Sequence, residues 1–189
     1  MIYVYGDSHA SQFRGHDDIK VFSTNSVSIH KLTTEGPGAY IKDERPAVLV
    51  FGEIDVRCLI YPQIAERGRD PSDVLDDLAD RYIKLVEGLK GRVIVCSVTP
   101  ASDHIKDGGM DGYPGWQPGF WKRQGPLQFR IFYTLGLNSR LRRSGLPFLD
   151  IHNHYAGERR ELLWGMTQDG VHICPSQNSY MIEKLRKMI

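Results

Sequence analysis

Ser8 follows a short apolar run, Ile2 to Tyr5, that breaks at Gly6-Asp7. Close to the other end of the chain, Asp169-Gly170-Val171-His172 places a carboxylate three residues before a histidine. A hydroxyl, an imidazole and a carboxylate are the groups that nucleophilic acyl transfer needs. The imidazole takes the proton from Ser Oγ, and the carboxylate orients the ring and stabilises its cation. A Gly-Asp-Ser turn is also an ordinary helix cap. The distant Asp-x-x-His is what gives the serine a chemical reading.

The elements around these residues must place them together. Ile2 to Tyr5 has the β-branched and aromatic composition of a strand, and His9 to Arg14 is compatible with a helix. A strand that ends in a glycine and delivers a serine to a helix start presents it at the carboxyl edge of a sheet. Ligands bind at that edge in open α/β folds. Ile19 to Phe22 predicts a second strand, Ala47 to Phe51 a central strand buried on both faces, Val93 to Val98 the next, and Pro147 to Ile151 the last. Asn25 to Leu32 leads into a Gly36-Pro37-Gly38 turn, and Ile60 to Arg69 reads as loop. Apolar residues at spacings of three and four predict helices opening at Asp70-Pro71-Ser72 and spanning Pro126 to Arg143, and a last helix covers roughly Pro175 to Met188. The alternation predicts an α/β fold: a flavodoxin-like three-layer α/β/α sandwich with a parallel sheet of about five strands.

Gly6-Asp7-Ser8 after the first strand and Asp169-x-x-His172 before the last helix resemble the SGNH, or GDSL, hydrolase superfamily, and the resemblance covers nearly the whole chain. It implies Ser8 as nucleophile, His172 as base and Asp169 as its orienting partner. It also implies an oxyanion donor from a glycine in the loop after the second strand, for which Gly38 is the candidate. The family's Gly-x-Asn-Asp block aligns on Gly52 and Asp55, which puts Ile54 where the family has a donating Asn. Isoleucine cannot donate, and an ionised Glu53 only accepts. Arg57 is the candidate replacement, the Ser8 and glycine N–H groups alone are the second option, and a site that only binds is the third. Glu53, Asp55 and Arg57 are together candidates for oxyanion or substrate contact.

At 189 residues the chain is long enough for a single domain with a proper core, and 1–189 is read as one domain. A net charge of +1 gives no bulk case for nucleic acid, and no apolar run approaches the roughly 20 residues of a membrane span. No secretory signal is visible, and three widely spaced cysteines read as reduced thiols, so a cytoplasmic setting is expected. His152 and His154 form an H-x-H pair that can bind zinc, but no ligand set accompanies it, so no metal is expected. The stretch 101–125, rich in glycine and aromatics, is expected to lie over the sheet edge, where Trp116 and Trp121 could stack on sugar rings.

These observations predict a serine esterase, without cofactor, acting on a small-molecule or carbohydrate ester, acetyl esters among them. Acyl transfer would use the same residues, and a glycan-binding descendant without turnover is the alternative from another class. A metallophosphoesterase is ranked low: Gly6-Asp7-Ser8-His9 loosely matches one of its motifs, and its later segments are absent. The oligomeric state is not legible.

Overall fold

The computed structural model describes residues 1–42, 46–103, 124–167 and 169–189. Trp116 and Trp121, and with them most of the expected aromatic loop, lie outside the described residues.

Five parallel strands form the sheet: β1 (Ile2–Gly6), β2 (Ile19–Ser23), β3 (Ala47–Val50), β4 (Val93–Cys96) and β5 (Phe148–Leu149), in the order β2-β1-β3-β4-β5. Alternate residues of each strand feed two cores. Tyr5, Leu49 and Val95 point to one side, against α1 (Ile29–Glu35), α3 (Pro71–Glu87) and α4 (Leu127–Arg143). Val4, Val48, Val50 and Ile94 point to the other, against Phe13, Tyr155 and α6 (Ser179–Arg186). The three expected layers and the parallel sheet are present.

Several element boundaries differ from the sequence reading. The segment from Asn25 continues into α1, capped by Ser28 Oγ, which accepts from Lys31 N at 3.0 Å; Gly36, at φ +87°, ends it. The expected loop after Ile60 is helical: a π-helical turn over Asp55–Leu59 runs into α2 (Ile60–Ala65). Pro62 lies inside this continuous helical run, just after the π-helical turn. The first helix is a 3₁₀ turn, Ser8–Phe13, and the last is split into a 3₁₀ turn, Pro175–Gln177, and α6. The long helices follow expectation, with Asp70 capping α3 through Ser72 N at 2.7 Å and Pro126 at the N-cap of α4.

In this strand order the chain winds outward in opposite directions from β1 and β3, so a crevice opens between their carboxyl ends. Ser8 follows β1 and the Gly52–Arg57 turn follows β3, one on each side of it.

Candidate active site

The Ser8 turn is shaped by close backbone approach. A Cβ on Gly6 would lie 2.3 Å from the Val50 carbonyl oxygen of the neighbouring strand, so only glycine fits. Asp7 is fully buried and caps the turn through His9 N at 2.8 Å. β2 pins the same turn from the other side: Thr24 N donates to Gly6 O at 2.8 Å and Ser23 Oγ to Asp7 O at 3.0 Å.

The opposing turn carries Asp169 and His172. Thr167 and Ile173 close it as an antiparallel bridge, and Gly170 takes the left-handed conformation at φ +82°. Asp169 Oδ1 accepts from Val171 N and His172 N, both at 2.8 Å, and from Thr167 Oγ1 at 3.2 Å. Its Oδ2 faces His172 Nδ1 at 2.5 Å. A carboxylate only accepts, so Nδ1 carries the proton and the neutral ring keeps a lone pair at Nε2. That atom lies 2.8 Å from Ser8 Oγ. Burial works against the charge on Asp169, but the hydrogen bond and charge of His172 outweigh it and hold the carboxyl well below the usual range. The structure thus aligns Ser8, His172 and Asp169, which come from opposite ends of the chain.

A second group of side chains lies behind them. His9, 1% exposed, packs against His172 with ring centroids 4.5 Å apart and the rings tilted by 39°. Its Nδ1 is 3.1 Å from Asp7 Oδ1 and 3.8 Å from Glu53 Oε2, and its Nε2 is 3.3 Å from Val171 O. Arg57 Nε donates to Glu53 Oε1 at 2.5 Å. Burial opposes the charge on Glu53, but Arg57 and His9 outweigh it and bring its pKa down to about 2. Neither Asp7 nor His9 was anticipated as part of the site. Direct sequence adjacency to Ser8 was the available signal.

The remaining candidates are placed differently. Asp55 is buried and accepts from Ile29 N at 2.6 Å and His30 N at 3.2 Å, so it caps α1 and is corrected from substrate contact to helix anchor. Gly38 sits on an exposed 3₁₀ turn beyond the C-terminal end of α1, with open space around it and no described hydrogen bond to Ser8. The length of α1 separates it from the loop after β2 that the resemblance invoked. Ile54 is buried.

Away from Ser8, a cavity of about 260 Å³ opens between α4 and the short helix α5 (His152–Tyr155), lined by Asn138, Arg142, His152 and Arg160 among others. Burial lowers the pKa of His152 to about 4, and His154 instead stacks on Tyr180 at 3.7 Å. The described residues contain no group of three or more His, Cys, Asp or Glu side chains able to hold a metal ion. No helix among them is long and apolar enough to cross a membrane.

Neither a known family model nor a curated protein matches the sequence. Solved structures do match. An acetyl xylan esterase, AlAXEase, is 13% identical with a TM-score of 0.59, over 100% of this chain and 98% of that one. A GDSL-like lipase from Bacteroides thetaiotaomicron is 16% identical with a TM-score of 0.63, over 98% and 84%. TesA is 14% identical with a TM-score of 0.54, over 99% and 96%. At these identities the likeness is one of fold, which the chain shares with an acetyl xylan esterase, a GDSL-like lipase and TesA.

Proposed function

We propose that the protein is a serine esterase that cleaves small acyl esters through an acyl-enzyme. The observation that carries this reading is the alignment of Ser8 Oγ, His172 and Asp169 at 2.8 and 2.5 Å. His172 Nε2 takes the Ser8 proton as Oγ attacks the ester carbonyl, and Asp169 balances the imidazolium that forms. The same proton passes to the leaving alcohol, and water then repeats the attack on the acyl-enzyme. The backbone N–H of Ser8 holds the oxyanion, since those of Asp7, His9 and Ala10 are already engaged. Arg57, on the neighbouring turn, takes the part of the donor that Ile54 cannot supply; such a donor is worth about 10²–10³ in rate.

An acetyl group on a carbohydrate is the substrate class favoured here. Its support is the fold shared with an acetyl xylan esterase and a Ser8 that is only partly buried. Acyl transfer to a second hydroxyl would use the same residues. The buried Ile54 at the family's Asn position favours one further reading, a glycan-binding protein without turnover.

Labelling with a fluorophosphonate tests the reading. Wild type is expected to take the label and Ser8→Ala and His172→Ala to lose it. A folded wild type that takes none would leave the glycan-binding reading, to be followed by affinity measurements on the Ser8→Ala variant.

A further inference from the structure

His9 has a polar partner at each ring nitrogen, and both partners are acceptors. Nε2 faces the Val171 carbonyl oxygen at 3.3 Å, and a carbonyl cannot donate. Nδ1 faces the carboxylate of Asp7 at 3.1 Å, with Glu53 Oε2 behind it at 3.8 Å. A neutral imidazole carries one N–H and would leave one of these contacts without a proton. The imidazolium satisfies both.

The surrounding charge calls for the same form. Asp7 Oδ2 and Glu53 Oε2 are buried and have no hydrogen-bond partner among the described residues. Buried carboxylates of this kind need balancing charge close by. Arg57, on Glu53 at 2.5 Å, supplies one positive charge against two negative ones. A protonated His9 makes the Asp7–His9–Glu53–Arg57 cluster neutral. Burial alone would drive His9 towards its neutral form, but the charges of Glu53 and Asp7 outweigh it and raise its pKa above the ordinary value.

The position of His9 gives this charge a use. Val171 precedes His172, and its carbonyl belongs to the turn that holds the base. His9 follows Ser8 directly and packs, tilted, against the His172 ring. We propose that His9 is a positioning residue, an imidazolium that ties the Ser8 turn to the Asp169–His172 turn through Val171 while balancing the buried charge of Asp7 and Glu53. The proposal rests on the esterase reading for its effect on rate. The groups facing His9 are Asp7 from its own turn, Glu53 and Arg57 from the turn after β3, and His172 from the turn before α6.

Two measurements on the full chain test it. In wild type, imidazole nitrogen shifts read the protonation of His9 directly, and both nitrogens are expected to carry protons throughout the neutral range. A bare nitrogen there overturns the proposal. The second measurement is the fluorophosphonate labelling rate of His9→Gln, Glu53→Gln and the double variant, each checked for its fold. His9→Gln leaves the cluster one charge negative, Glu53→Gln leaves it one positive, and the double variant is neutral again. His9→Gln is expected to slow labelling by about 10²-fold, the cost of displacing a reacting group by about 1 Å. The double variant is expected to recover about tenfold over His9→Gln, within the range for groups in contact. A residue that merely fills space would give additive losses, and a double variant no faster than His9→Gln overturns the proposal. A folded wild type that takes no label overturns the esterase reading and with it the positioning role. The nitrogen shifts would still decide the charge.

Discussion

Glu53 and Asp55 stand on one turn after β3, and their surroundings drive the two carboxyls in opposite directions. The positive charges of Arg57 and His9 overcome burial at Glu53 and bring its pKa down to about 2. Burial prevails at Asp55 over the two backbone N–H groups of α1 and lifts its pKa to about 7. One carboxyl is held as an anion; the other is placed to stay protonated until near neutrality.

The two groups therefore contribute opposite slopes to stability against pH. Glu53 has a depressed pKa, so its contribution is present above the unfolded value near 4.5 and is lost as pH falls towards about 2. Asp55 has a raised pKa, so its contribution is present below the unfolded value near 3.8 and is lost as pH rises towards about 7. Glu53→Gln is expected to cost about 3 kcal/mol near neutrality, with the gap to wild type closing in acid. Asp55→Asn is expected to gain ground on wild type as pH rises through that same upper window. Denaturant melts across pH check both signs.

Asp169→Asn is expected to lower esterase or labelling rate by about 10⁴-fold while leaving the fold intact. The amide can donate to His172 Nδ1, which favours the tautomer with a proton at Nε2 and removes the lone pair that faces Ser8. Rates measured beside a thermal melt separate the chemical loss from unfolding.

Gly6→Ala is expected to destabilise the protein by about 1–3 kcal/mol, in line with overpacking of a filled site. The added methyl would meet the Val50 carbonyl, and β1 and β3 cannot part without breaking their ladder. Because Ser8 hangs from that junction, labelling is expected to fall further than stability does. Urea melts and labelling rates on the same sample test this.

Asn138 on α4 bonds both polar groups of Val98, accepting from its N–H at 2.7 Å and donating to its carbonyl at 3.0 Å. These backbone groups lie just past the end of β4, where the sheet no longer pairs them. Asn138→Ala leaves both groups buried and unpaired, and a loss of about 2–4 kcal/mol is expected in urea denaturation.

The sequence carried the parallel α/β layering because its strands are short, continuous apolar runs and α3 shows a clean repeat of three and four, whereas α4 buries Arg130, Thr134 and Asn138 beside its apolar residues. Ser8, Asp169 and His172 were legible because their neighbours are few in type and fixed in spacing. The role of Asp55 was not, since nothing in Gly52-Glu53-Ile54-Asp55 says which carboxylate turns inward to α1 and which turns to His9. The helices α1 and α2 were missed because short helices depend on packing rather than on their own periodicity. In the sequence His9 is only the start of a helix-compatible segment, because its partners come from three separate stretches of the chain.

The start of α6 has a consequence for cooperativity. Asn178, at the N-terminal edge of α6, donates through Nδ2 to Gln12 O at 2.9 Å and Arg14 O at 3.0 Å, which latches the start of α6 onto the turn that carries Ser8. Ser8 opens the first of these stretches and His172 lies just ahead of the second. The latch and the Ser8–His172 contact join the same two stretches of chain, so both are expected to be lost together in denaturant.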